Sequence, residues 1–157
     1  MELALEEARK AEEIDEVPVG CVIVCDGKVI SRGHNLKEQL NQAYAHAEMM
    51  AIQKAAEIKG NWCLNDCDLY VTLEPCMMCT GIINLSRIRT VYYGTTDPKG
   101  GCLETVIDLK KIKRLNHYPN VVGNILQKEC SEILTNYFRK KREIIKEKKQ
   151  KNKANIQ

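Results

Sequence analysis

Apolar positions along the chain follow two periods in turn. Leu3, Ala4, Ala8, Ala11 and Ile14 keep one stripe at helical spacing, which predicts a surface helix over residues 2–14. The run V-G-C-V-I-V-C at 19–25 abandons that spacing and reads as a strand. It stops at Asp26-Gly27, a dipeptide that favours a tight hairpin turn, and K-V-I-S-R-G-H-N at 28–35 is the returning strand. Residues 36–44 are polar and read as a loop. From His46 to Lys59 helix formers dominate, with Gly60 as the C-terminal stop. A strand (D-L-Y-V-T-L, 68–73), a helix (C-M-M-C-T-G-I-I-N-L, 76–85) and a third clear strand (R-T-V-Y-Y-G-T, 89–95) follow, closed by the turn material T-D-P-K-G-G. A weaker strand at 120–126 precedes a long helix from about Lys128.

Strands alternating with helices predict an α/β sandwich whose sheet opens with an antiparallel hairpin and is parallel in its middle. At 157 residues the chain fits one domain with a core of its own, and no repeat or linker divides it. We place that domain at 1–146 and a Lys-rich tail at 147–157. No apolar run approaches a membrane span, and the acidic, amphipathic start is unlike a signal peptide. A reducing cytoplasm is therefore expected, where eight cysteines serve metal or catalysis more often than crosslinks.

Charge changes the picture only at the end of the chain. The formal net charge is +3, but residues 139–157 hold nine basic side chains against Glu143 and Glu147. That segment is about +7 and the remainder about −4, which suits a polyanionic partner; a solvated helix end has the same composition.

The chemistry starts from T-L-E-P-C-M-M-C at 72–79. Cys76 and Cys79 fall at i and i+3 in the first turn of a helix, where unpaired N–H groups and the helix dipole favour thiolates. A catalytic zinc wants three protein ligands and one position for water. His46, in A-H-A-E at the start of its own helix, is the third ligand this pattern implies. Glu48 stands two residues on, where the helix begins, and is placed to receive the proton of that water. A lone CxxC is weak, since redox sites and structural zinc knuckles share it. The ordered set H-A-E…P-C-x-x-C matches the signature of zinc nucleobase deaminases.

On these residues the chain resembles the cytidine-deaminase-like superfamily and, within it, the bacterial tRNA-specific adenosine deaminases. The likeness extends to V-P-V-G-C-V-I-V at 17–24, G-H-N at 33–35, N-W-C-L at 61–64, R-I-R-T-V-Y-Y-G at 87–94, D-P-K at 97–99, L-N-H at 115–117 and the closing F-R-K-K-R. The resemblance implies a three-layer α/β/α sandwich on a five-stranded mixed sheet, one zinc per subunit, and hydrolysis of the wobble adenosine of a tRNA anticodon stem-loop to inosine. It implies a homodimer with no membrane association. It assigns zinc to His46, Cys76 and Cys79, proton transfer to Glu48, a nucleoside hydrogen bond to Asn35, and RNA contacts to Asp97 and Lys99. Two stretches depart from the family pattern near the expected substrate mouth: Q-A-Y at 42–44 and C-L-E-T at 102–105.

Other residues carry blander readings. Cys21 and Cys25 share one strand face and are expected in the core, Cys63 and Cys67 at packing or loop positions, and Cys102 and Cys130 have no partner spacing. His34 is expected to orient a turn and His117 to be structural. Of Trp62, Tyr92, Tyr93 and Phe138, most are expected inside, with Phe138 partly exposed. Two other functions fit the same residues: deamination of a free nucleobase or nucleoside, and a zinc-stabilised RNA-binding module without catalysis. The basic final helix and D-P-K argue against the first, and the Glu48 position against the second.

Overall fold

The structure is a computed structural model and describes residues 1–154. Its five-stranded sheet has the order β2-β1-β3-β4-β5. β1 (Gly20–Cys25) and β2 (Lys28–His34) form the expected hairpin. Asp26 and Gly27 both have positive φ, 49° and 72°, the backbone of a type I′ turn, whose twist suits paired strands. β1 also pairs antiparallel with β3 (Cys67–Leu73), whereas β3, β4 (Thr90–Thr95) and β5 (Asn120–Val122) run parallel. The sheet is mixed as anticipated.

Helices cover both faces. α1 (Glu2–Glu13) buries Ala4, Leu5, Glu7, Ala8 and Ala11 against the sheet, so its inner stripe is shifted toward Leu5 and Glu7 relative to the sequence pattern and leaves Ile14, just past the helix, outside. The 28-residue α5 (Gln127–Ala154) lies on the same face; Tyr137 Oη donates to the Asp15 carbonyl at 2.9 Å and Lys140 pairs with Glu12 at 3.1 Å. The opposite face carries α3 (Ala47–Lys59) and α4 (Met77–Leu85), over a core that includes Ile23, Leu64, Leu69, Val71, Ile83, Ile88 and Leu103. The Lys-rich segment assigned to 147–157 continues α5 as far as Ala154, and its last residues lie outside the described ones.

Close backbone approach sets the layer spacing. At Gly33 a Cβ would stand 2.7 Å from the Ala51 nitrogen, so only glycine lets α3 lie this near β2.

Several expectations need correction. The 36–44 loop contains a short helix, α2 (Lys37–Leu40), ended by Asn41 in the left-handed region. His34 does not orient a turn; its Nδ1 lies 3.0 Å from Oε2 of the buried Glu7, tying β2 to α1. Cys25 is half-buried rather than in the core. Trp62, in the loop after Gly60, is exposed at 65%, while Tyr93 is buried and Phe138 is exposed as foreseen. His117 is structural: its Nε2 lies 2.6 Å from the Ile88 carbonyl oxygen.

Candidate active site

Two helix beginnings meet at the C-terminal end of β3. His46 is the N-cap of α3 and Cys76 the N-cap of α4, both extended, and neither side chain is spent on capping its helix. His46 is held there by its own N–H, which donates to the Tyr44 carbonyl at 2.7 Å, while the Ala45 carbonyl accepts from Leu36. His46 Nδ1 stands 3.7 Å from Cys76 Sγ and 3.6 Å from Cys79 Sγ. Tetrahedral zinc, with Zn–S of about 2.3 Å and Zn–N of about 2.0–2.1 Å, requires an N···S separation of about 3.6 Å. The three donors are therefore already at zinc spacing. His46, Cys76 and Cys79 form one of two groups among the described residues that could hold a metal ion.

Electrostatics agree with that donor set. Hydrogen bonding from Cys79 outweighs the cost of burial and, with His46, holds the Cys76 thiol far below its usual value, so it is a thiolate. The same shared proton, together with burial, pushes Cys79 up. A metal cation takes the place of that proton. His46 is raised, chiefly by its contact with Cys76. Glu48, 4% exposed, is pushed up to about 7 by burial, the range in which a carboxyl exchanges protons at neutral pH.

A cavity of about 210 Å³ opens over these residues, walled by Val17, Val19, Asn35, Leu73 and Asp97, with His46, Glu48 and Cys76 lining it. It has room for one flat base rather than a run of nucleotides. Asn35 thus reaches the cavity with the metal donors and Glu48. Lys99 does not; it lines an open groove that shares Val17, Leu73 and Asp97 with the cavity and continues to Phe138 and Arg142 on α5.

Two buried acids escaped the sequence reading. Glu16 accepts from Asn35 Nδ2 at 3.2 Å and from the Gln39 N–H at 2.7 Å, fixing the asparagine amide in the cavity wall. Glu74 accepts from the backbone N–H groups of Leu103, Glu104 and Thr105 at 2.9–3.2 Å, from that of Asp97 at 3.3 Å, and from the Thr105 hydroxyl. Burial pushes Glu74 up, but these donors outweigh it and hold its carboxyl below the ordinary value. The departing C-L-E-T segment is the one wrapped around this carboxylate. A charged residue ending an apolar strand directly before P-C-x-x-C was the available signal.

Sheet order, helices on both faces and a His/Cys/Cys donor set beside a buried glutamate define a zinc-dependent nucleobase deaminase, and residues 1–95 match the cytidine and deoxycytidylate deaminase zinc-binding region. Similarity extends well past that region. The chain is 47% identical over 142 residues to a tRNA-specific adenosine deaminase of Bacillus subtilis, covering 90% of this chain and 88% of the relative. It is 49% identical to one of Agrobacterium fabrum, covering 90% and 93%. A solved structure from work on A-to-I editing by tRNA:A34 deaminases superposes with a TM-score of 0.83 at 48% identity, over 85% of this chain and 97% of that one. The chain belongs to the tRNA-specific adenosine deaminase family. Among the described residues no helix is long and apolar enough to cross a membrane.

Proposed function

We propose that this protein hydrolyses the wobble adenosine of a tRNA anticodon loop to inosine and releases ammonia. The observation that carries the reading is the continuity of a one-base cavity, lined by His46, Cys76 and Glu48, with a groove leading to Lys99, Phe138, Arg142 and the basic face of α5. An anticodon loop already splays its bases, so seating one adenine costs little unstacking. The names of relatives at 47–49% identity support the same substrate.

In this reading His46, Cys76 and Cys79 hold zinc, one per subunit, which when bound supplies an activated water at the adenine C6. Glu48 takes that water's proton, delivers it to the ring N1, and later protonates the departing amine. Asn35, its amide fixed by Glu16, hydrogen-bonds the nucleoside and keeps the ring flat against the cavity wall. Asp97 stands at the rim, and Lys99 with α5 meets the flanking phosphates, so binding weakens as salt rises. Residues 1–146 constitute the catalytic domain and the Lys-rich remainder extends its RNA-facing helix. The cytoplasm, where tRNA is charged, is the compartment this activity requires.

A homodimer belongs to the same reading. Its support is the apolar surface around α4, where Trp62, Met77 and Leu85 are each about two-thirds exposed and Ile58 is similar. Sedimentation would give twice the 17.9 kDa chain mass.

The test is inosine formation on a transcribed anticodon stem-loop with A at the wobble position, alongside free adenosine, cytidine and guanine. Inosine from the stem-loop alone establishes the reading. Turnover of a free base with the RNA untouched overturns it and leaves the zinc chemistry intact.

A further inference from the structure

At the far end of β3 from the zinc donors, a second thiol cluster joins three elements. Cys25 ends β1, Cys67 begins β3, and the two are directly opposed in the antiparallel ladder. The Cys67 N–H donates to the Leu64 carbonyl and its own carbonyl accepts from Arg89. Neither group is spent on Cys25, so this is a non-hydrogen-bonded pair. Opposed Cα atoms at such positions lie about 4.5 Å apart, inside the roughly 4.4–6.8 Å range a disulfide needs, with side chains on the same face. Cys25 Sγ is 3.5 Å from Asp66 Oδ2 and Cys67 Sγ 3.3 Å from Asp66 Oδ1, while Lys59 Nζ reaches Asp66 at 2.5 Å and Cys25 Sγ at 3.5 Å.

We propose that Cys25 and Cys67 form a peroxide-responsive cross-strand disulfide, a modification site separate from the zinc centre. The Cys25 sulfur attacks one oxygen of hydrogen peroxide; an S–O bond forms, the O–O bond breaks, and the departing hydroxide takes the Cys25 thiol proton as water, leaving a sulfenic acid. Cys67 sulfur then attacks Cys25 sulfur; the S–S bond forms, the S–O bond breaks, and the hydroxide takes the Cys67 proton as a second water. Two thiols lose two electrons and the peroxide gains them.

Chain geometry assigns the two roles. Cys25 is half-buried, the more open of the two to a small oxidant, and its sulfur faces Lys59 Nζ at 3.5 Å and the Asp66 and Asp26 carboxylates at 3.5 and 3.9 Å. Cys67 is fully buried and protonated, pushed up to about 12 by burial and then by Asp66, so it resolves rather than initiates. The same cluster has three metal-donor atoms within 4.8 Å of one another. Lys59 already holds the cation position there, which favours redox chemistry over a metal.

The bond would close a loop containing β2 and α3, with six strand residues, about 20 Å, between Cys67 and the catalytic end of β3. Oxidation should then stiffen the sheet and leave catalysis unchanged.

Zinc-loaded full-length protein is treated with about two equivalents of hydrogen peroxide, thiols are blocked, and the unreduced digest is sequenced by mass spectrometry. The expected result is a Cys25–Cys67 link, two hydrogens lighter than the thiols and lost on reduction. Undiminished deamination and a melting temperature raised by roughly 5–10 °C should accompany it. Cys25→Ser, a near-isosteric change at a half-buried position, should remove both the link and the thermal shift. Free thiol or sulfinic acid at Cys25, a link to Cys21 or Cys63 instead, or a second zinc per chain lost in Cys25→Ser would each overturn the proposal.

Discussion

Glu48 and Glu74 line one cavity, and both are almost wholly buried, at 4% and 2% exposure. They are nevertheless opposites. Glu48 sits where α3 begins, with little to offset desolvation, and is pushed up to about 7. Glu74 sits between β3 and α4, ringed by four backbone N–H groups and a hydroxyl, and is held low. Burial is common to both; the supply of donors decides the outcome. A carboxyl left short of donors exchanges protons near neutrality, while one saturated with them is a fixed anion that organises a loop. The loop it organises, 97–105, carries both Asp97 and the segment that departs from the family pattern.

The largest expected effect tests the first half of that contrast. Glu48→Gln should lower the deamination rate by roughly 10²–10⁴-fold while zinc content, measured by atomic emission, stays at one per chain. Retained activity would remove Glu48 from proton transfer. Next, Glu74→Ala strands several buried N–H groups and should cost about 3 kcal/mol, or roughly 6–12 °C of melting temperature, together with a higher KM for the stem-loop. A variant as stable as the parent would mean that the loop is not held by this carboxylate.

The pH profile sharpens the contrast further. Only ionised Glu48 can accept a proton, so kcat/KM should fall about tenfold per unit as pH drops below the operative value, about 7 before a metal cation draws it lower. Stability should respond with opposite signs. Glu48 is raised on folding, so its ionisation opposes the fold above its unfolded value near 4.5. Glu48→Gln should therefore stabilise metal-free protein at pH 8, by about 1–3 kcal/mol in urea denaturation. Glu74 is lowered on folding; its contribution is complete above 4.5 and is lost as pH falls through the folded value. The stability of Glu74→Gln should consequently fall less steeply than that of the parent as pH drops below 4.5. This is the smallest shift of the series.

What the sequence made legible follows from the range of each interaction. His46, Cys76 and Cys79 belong to two short local motifs, each set by the start of a helix, and the ordered signature rather than local spacing links them across 30 positions. The hairpin was equally local, fixed by Asp26-Gly27. The roles of Glu16 and Glu74 were harder to read: the position of Glu74 at the end of an apolar strand was a signal, but most of their partners are backbone N–H groups 23 to 31 positions away, and a backbone group leaves no mark in a sequence. The 25/67 thiol pair was hidden for a related reason. Spacing put 21 and 25 on one strand face and gave no link between 25 and 67, whereas the contact runs across strands. α2 is one turn long, too short for any period to register. Trp62 is apolar in composition but follows the Gly60 stop, and chain path rather than hydrophobicity placed it outside.

Gly33 gives the metal site a mechanical tolerance. The metal donors are divided between α3 and α4, and α3 rides on β2 with the clearance of a missing methyl group. The gap between imidazole and thiolates is thus machined by a residue that touches neither, and a single added carbon at Gly33 would act as a shim. It would lift His46 and Glu48 together away from the cysteines, loosening metal selectivity and proton transfer in one movement.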